Sequence, residues 1–409
     1  MPVQLPLAST SPVLQHELVD EELCPAYDSK CFHPAKPGEI LGNCYQLLVK
    51  IGWGTHSTVW LARDMTRHVW GPCFTPRCSK LRWQSERLVT LEIANVHSSK
   101  DARHECGIDK HIARQAPSHR GRGIIRTFFE SFDVAGPEGS HPCLGYEPMR
   151  EPLWILQKRF VDQRLPLSIA KAYIFILLAG LDFFAHGMQD YLKPENILVT
   201  FENDKILPNF IKEQTTKLPM QYKNDSITGR TIYRCHNDFG PLNWRDLKKM
   251  LPKIADFGLA TRLDGDNLEV QRGKRGIGLH PIQPDRYRAP EVILGCGWSF
   301  SADIWNFGIL GCDIIERTGL FRQVYDAEGR YDAKAHLAEM IALLGPPPKE
   351  MLSQSKSMIQ NLDAVIPSLE EEERQGFLSF ISLMLTWRPE DRKTARELME
   401  HPFLNFRRR

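Results

Sequence analysis

The chain has 409 residues, 42% of them hydrophobic and 25% charged, which is more than one small domain and enough for two lobes with an ordinary buried core. A net charge of +2 gives no global pull toward nucleic acid or membrane. Ten cysteines are scattered without a C-x-x-C pair, and Cys73/Cys78 has no matching second pair, so a zinc site is not expected. Reduced thiols in the cytoplasm or nucleus fit that usage best. No run of about 18 uninterrupted apolar residues occurs, and Met1 to Asp20 lacks a basic stretch followed by an apolar one. Neither a membrane span nor secretion is therefore expected.

Residues 1–40 are rich in Pro, Ser and acids, and read as a loose N-terminal arm. Cys44 to Ile51 is strand-like, a glycine turn follows, and Thr58 to Ala62 is a second strand. Met65 to Arg87 mixes Trp, Pro, Cys and Arg without period, as an irregular insertion or an intron carried into the gene would. Leu88 to Ile93 reads as a third strand, and Asp101 to Arg114 as a helix. Two more strands are expected at Arg126 to Val134 and Cys143 to Glu147. Leu167 to His186 is helical and strongly apolar, as a helix buried in a larger domain would be. The remainder reads as helices and long loops, apart from a polar insertion at about 203–251. The order implies an α+β architecture, a small β-rich lobe ahead of a larger helical one. Residues 406–409 form a short basic tail, read as a solvated terminus.

Five motifs stand in order along this frame. Gly52-Trp53-Gly54-Thr55-His56-Ser57-Thr58-Val59 lies between two strands, where glycines let a hairpin backbone approach phosphates closely. A dinucleotide fingerprint would instead open a helix. Leu192-Lys193-Pro194-Glu195-Asn196-Ile197-Leu198 follows the apolar helix. Lys253-Ile254-Ala255-Asp256-Phe257-Gly258 stands sixty residues later. Arg288-Ala289-Pro290-Glu291 and Ser301-Ala302-Asp303-Ile304-Trp305-Asn306-Phe307-Gly308 complete the series.

Together these resemble the two-lobed protein kinases. The loop tryptophans, the polar insertion before Asp256, the stretch Ile282 to Glu291 and Tyr331 to Leu337 resemble the SR-protein kinases of fungal type. The resemblance covers roughly residues 40–405. It implies a kinase N-lobe at 41–147, interrupted at about 65–87, and a C-lobe at 148–405 that carries a spacer at about 203–251. It also implies a Ser/Thr protein kinase that uses ATP and Mg2+ to phosphorylate protein substrates, often Arg-Ser-rich splicing factors. No direct nucleic-acid or membrane partner is expected, and a monomer is. Residue by residue, Ile51 to Val59 would cover ATP, Tyr146 would stand at the gatekeeper place, and backbone groups of Glu147 and Met149 would bond the adenine. Leu198 would form the floor, Asn196 and Asp256 would hold magnesium, and Lys193 would neutralise charge on the phosphoryl group in flight. Glu291 and Arg392 would form a buried structural ion pair.

Two positions depart from that pattern. Val89-Thr90-Leu91-Glu92 stands where the family has V-A-I-K, so Glu92 replaces the lysine that grips the phosphates. Attraction of about 4 kcal/mol for a pair ~4 Å apart at an effective dielectric near 20 becomes repulsion. Glu105, aligned to the helix glutamate, would be repelled by Glu92 rather than paired. Tyr191 stands at the base position, and a phenol with a pKa near 10 accepts a proton poorly at neutral pH. Loss of a positioned base typically costs ~10²–10⁴ in rate. A one-residue rearrangement of the loop would present Asp190 instead. The sequence therefore supports a weakened Ser/Thr kinase, with a pseudokinase scaffold as the alternative.

Overall fold

A computed structural model describes residues 13–24, 27–66, 87–115, 118–184, 188–189, 192–263, 278, 281–316, 318–348 and 369–405. The chain divides into two compact units, one of Met1–Ile112, Arg126–Arg150 and Thr200–Met250, the other of Ala113–Ile125, Glu151–Val199 and Leu251–Arg409.

The first unit is built on β1 (Ile40–Leu41), β2 (Tyr45–Trp53), β3 (Ser57–Asp64), β4 (Leu88–Ala94), helix α1 (Ser99–Arg114), β5 (Glu130–Gly136) and β6 (Gly139–Tyr146). The strands form one antiparallel sheet in the order β1-β2-β3-β4-β6-β5. Hairpin neighbours account for most of that order, and the β5–β6 turn closes on the Gly136/Gly139 pair. At the mouth of the expected insertion, Asp64 N–H donates to the Arg87 carbonyl at 2.9 Å, joining the ends of β3 and β4. Residues 67–86 of that insertion, with Cys73 and Cys78, lie outside the described residues.

The arm and the spacer differ from expectation. Strand β2 is buried on both faces from Tyr45 to Lys50, so an apolar cover is needed beyond what the hairpins supply. The spacer supplies it: Phe210, Ile211, Met220 and Phe239 share one core with Leu47, Val49, Trp60 and Leu91. Phe239 packs on Phe210 at 4.6 Å and on Phe201 at 5.0 Å between ring centroids. The arm in turn binds the spacer. Arg230 donates to the carbonyls of Ser29, Lys30 and Phe32, and Lys223 to those of Gln15 and Glu17. Ser29 Oγ donates to Asp225 at 2.5 Å. Lys50 Nζ, almost fully buried, meets Asp20 at 2.9 Å, Glu21 at 2.5 Å and the Tyr233 carbonyl at 2.8 Å. From Val13 onward the described arm is therefore pinned rather than loose. The spacer, expected as part of the C-lobe, groups with the sheet-bearing unit because its aromatic residues close that unit's core.

The second unit is helical. Its central helix, Leu167–Phe184, is long and apolar enough to cross a membrane by length and composition, with a mean hydropathy of 1.8. Its buried residues run around the whole circumference, from Ile169 to Phe184, so it reads as the core helix of this unit. Gly121 allows the preceding turn to lie directly on it, since a Cβ there would meet the Ala179 carbonyl oxygen at 1.8 Å. The Ser301–Glu316 helix is likewise nearly all buried. The ion pair implied by the resemblance is present and fully buried: Arg392 Nη1 and Nη2 donate to the two oxygens of Glu291 at 2.7 and 2.8 Å. The short helix Ala395–Met399 begins on a capping box between Thr394 and Glu397.

Candidate active site

The glycine-rich turn lies in the first unit, between β2 and β3. Gly52 pairs with Val59 in register, and a Cβ on Gly52 would stand 3.3 Å from the valine Cβ, tighter than side chains normally pack. Gly54 N–H donates to the Ser57 carbonyl at 2.9 Å and closes the turn around Thr55 and His56. Ile51 and Val59 are half-buried, Trp53, Thr55 and His56 are exposed, and Thr58 is buried.

Glu92 lies on β4 directly opposite Val59. Its Oε1 accepts a hydrogen bond from Ser57 Oγ at 2.7 Å. Ser57, at the third glycine place of the G-x-G-x-x-G pattern, and Glu92, at the lysine place, thus bind one another. Glu105 of α1 accepts from the Tyr146 hydroxyl at 3.0 Å. The repulsion expected between the two glutamates is met by giving each its own neutral hydroxyl donor. Burial, followed by the charges of Glu105, Glu92 and Asp109, raises the Tyr146 phenol well above its ordinary pKa, so it remains a donor. Thr90 Oγ1 is buried beside it with no hydrogen-bond partner among the described residues, a cost that an alanine at this place would not carry.

The segment expected to read adenine runs from Tyr146 through Glu147, exposed, to Met149, buried. Its carbonyl at Glu147 accepts from Arg126 Nε at 3.2 Å and Nη2 at 3.1 Å. The guanidinium carbon lies 4.3 Å from the centroid of the Tyr146 ring. Burial lowers the Arg126 pKa, while Tyr146, Glu92, Glu147 and Asp109 oppose that shift. Sequence reasoning missed Arg126. The available signal was a charged residue directly after the apolar pair Ile124-Ile125, at a site with neighbouring acids only in three dimensions.

In the second unit, the strand Ile197–Val199 pairs antiparallel with Pro252–Ile254, matching Ile197 to Ile254. The pairing continues one step further, Ala255 N–H donating to the Asn196 carbonyl at 2.8 Å. Asn196 and Asp256, sixty residues apart in the chain, are thereby brought to the same strand ends. Asn196 is buried and Asp256 exposed. Asp256 adopts φ = +66°, a left-handed conformation that costs a non-glycine residue about 1–3 kcal/mol and persists where the surroundings impose it. Phe257, buried against Phe184 at 5.6 Å, supplies that anchoring. One amide oxygen and one accessible carboxylate form a hard donor set that suits magnesium, which retains waters and phosphate oxygens for its other positions. Among the described residues no cluster of three or more His, Cys, Asp or Glu forms an all-protein cage. Lys193 is half-buried in extended backbone just ahead of Asn196, and Leu198 is half-buried on the strand. Asp190 and Tyr191 lie outside the described residues.

The protein kinase domain family matches residues 230–404. A serine/threonine protein kinase of Aspergillus fumigatus is 33% identical over an alignment covering 98% of this chain and 95% of that one. This chain belongs to the serine/threonine protein kinases, of the SR-protein-kinase type. The kinase named SRPK of Physarum polycephalum is 27% identical, across 92% of this chain and 90% of its own. The crystal structure of a kinase domain superposes with a TM-score of 0.59 at 21% identity, covering 92% of this chain and all of that one, and agrees in fold. The β-rich first unit and the helical second unit of this kinase follow that two-lobed pattern.

Proposed function

We propose that this kinase binds ATP with magnesium and transfers the γ-phosphate slowly to serines of Arg-Ser-rich protein substrates in the cytoplasm or nucleus. The observation that carries the proposal is the pairing that sets Asn196 beside Asp256. In this reading their oxygens hold the metal, and magnesium supplies charge neutralisation on the phosphates. The Gly52–Gly54 turn covers the phosphates with backbone N–H groups, and Lys193 offsets the charge that develops on the transferred group. Glu147 and Met149 present the backbone edge that reads the purine. Val59 and Thr90 of the first unit, and Leu198 of the second, are the side chains this reading assigns to the base. Glu92 cannot grip the phosphates, and its bond to Ser57 keeps its charge from pointing freely at them. Tyr191 is a poor base, so proton removal from the acceptor serine depends on solvent or on Asp190.

The Ser57–Glu92 bond also favours a second reading, a pseudokinase that binds substrate without transfer, because it fills the lysine place with a satisfied acid. Nucleotide binding itself is tested by melting. Ligand at about 100 times its Kd stabilises the state it binds by about 2.7 kcal/mol. Mg-ATP is expected to raise the melting temperature of the full chain, and Asp256→Ala to remove the magnesium-dependent part of that rise. An identical shift in the variant sinks the metal assignment.

A further inference from the structure

The Glu147 carbonyl is the acceptor that the proposed reading assigns to the purine, yet a side chain of the same unit already uses it. A carbonyl oxygen has two lone pairs. Arg126 directs two N–H groups at it, from Nε at 3.2 Å and Nη2 at 3.1 Å. The planar guanidinium is further fixed by its face on the Tyr146 ring at 4.3 Å. Asp109, whose Oδ2 accepts from Phe128 N–H at 2.9 Å, and Glu92 add negative charge around it. A flexible lysine would make one such bond and leave easily. A fork stacked on an aromatic ring and surrounded by carboxylates is a held group.

That arrangement reverses the chemistry of the edge. A free carbonyl welcomes the 6-amino group of adenine, which is a donor. With Arg126 in place, an incoming amino group meets N–H against N–H and finds the acceptor taken. A 6-oxo group, as in hypoxanthine or guanine, is instead an acceptor. Arginine carries five N–H donors, and the two spent on Glu147 leave three without a partner among the described residues. Resting on the nucleotide-binding reading, we infer that Arg126 sets the purine preference of this kinase. It turns the base-reading edge from one that accepts from a 6-amino group into one that donates to a 6-oxo group.

The test is isothermal titration of the full chain and of Arg126→Met with the magnesium salts of ATP, inosine triphosphate and GTP. Inosine triphosphate isolates the 6-oxo group, and GTP adds the 2-amino group. The wild type is expected to bind inosine triphosphate at least as tightly as ATP. Arg126→Met is expected to gain about tenfold for ATP and lose about tenfold for inosine triphosphate, the scale of one mismatched hydrogen-bonding group. If the wild type prefers ATP tenfold or more and the variant leaves that ratio unchanged, the role of Arg126 is refuted while nucleotide binding stands. If neither protein binds any of the three, the nucleotide-binding reading falls and this inference with it. Should Arg126→Met fail to fold, the wild-type ratio alone decides. Parity or a preference for inosine triphosphate supports the inference, and a tenfold preference for ATP overturns it.

Discussion

Replacing Lys50 by Met tests the anchoring of the N-terminal arm. The ammonium has three N–H donors, and three acceptors surround it: Asp20 at 2.9 Å, Glu21 at 2.5 Å and the Tyr233 carbonyl at 2.8 Å. Methionine fills the same volume and leaves the two carboxylates with no cation. Removing one partner of a buried ion pair typically costs about 3–5 kcal/mol. Two features reduce that here. Burial already raises the Glu21 pKa, so its protonation is easier than for an exposed acid. Asp20 also keeps a second donor, the Cys235 N–H at 2.6 Å. A loss of about 3 kcal/mol in arm docking follows, or about 10²-fold in the opening equilibrium at 1.4 kcal/mol per decade. Hydrogen exchange read by mass spectrometry should show that increase in peptides spanning 13–35 and 221–236, with the Leu167–Phe184 helix unchanged. Exchange in the arm within threefold of wild type would refute the anchoring argument.

Arg392→Leu leaves Glu291 buried and strips donors from the Ser301 and Thr386 carbonyls, so a loss of about 3–5 kcal/mol is expected in urea unfolding of the helical lobe. An unchanged urea midpoint would contradict that structural role. Asp313 gives a pH signature. Burial, outweighing the hydrogen bond from the Tyr287 hydroxyl, raises its pKa from 3.8 to about 6. Between those values the folded protein holds a proton that the unfolded chain has released, so this group's contribution to stability falls as pH rises from about 4 to 6. The two-unit shift caps the effect at about 3 kcal/mol. Asp313→Asn should remove that slope, seen as a smaller drop in melting temperature between pH 4 and pH 7 than the wild type shows. Identical slopes in the two proteins would rule it out.

The parts legible in the sequence were those whose chemistry is written in short, local spacings. Gly52 and Gly54 marked the turn, and Asn196 and Asp256 marked strand ends that one backbone pairing brings together. The buried pair of Glu291 and Arg392 was read by resemblance, although its partners are 101 residues apart. The arm was not legible for a physical reason. Its acids look like a solvated stretch until Lys50, about 30 residues onward, is known to be buried opposite them. Ser29 similarly finds Asp225 at a separation of 196 residues. The spacer's four core residues are spread among polar ones from Phe210 to Phe239, too thin an apolar pattern to predict a face. Glu92 was read as a naked liability because its partner Ser57 stands 35 residues away, and only the pairing of β3 with β4 brings the two together. Arg126 carries no motif at all, and its role rests on one backbone carbonyl.

Whether the altered positions weaken phosphotransfer without abolishing the site is tested most directly by following γ-phosphate transfer from Mg-ATP to an Arg-Ser repeat peptide. The purified wild type would be run beside Glu92→Lys/Tyr191→Asp. Slow but measurable transfer to serine is expected from the wild type. Transfer at least ~10²-fold faster is expected from the double variant, the lower end of what a positioned base supplies. Equal rates in the two proteins, or no transfer by either while both remain folded, would contradict it.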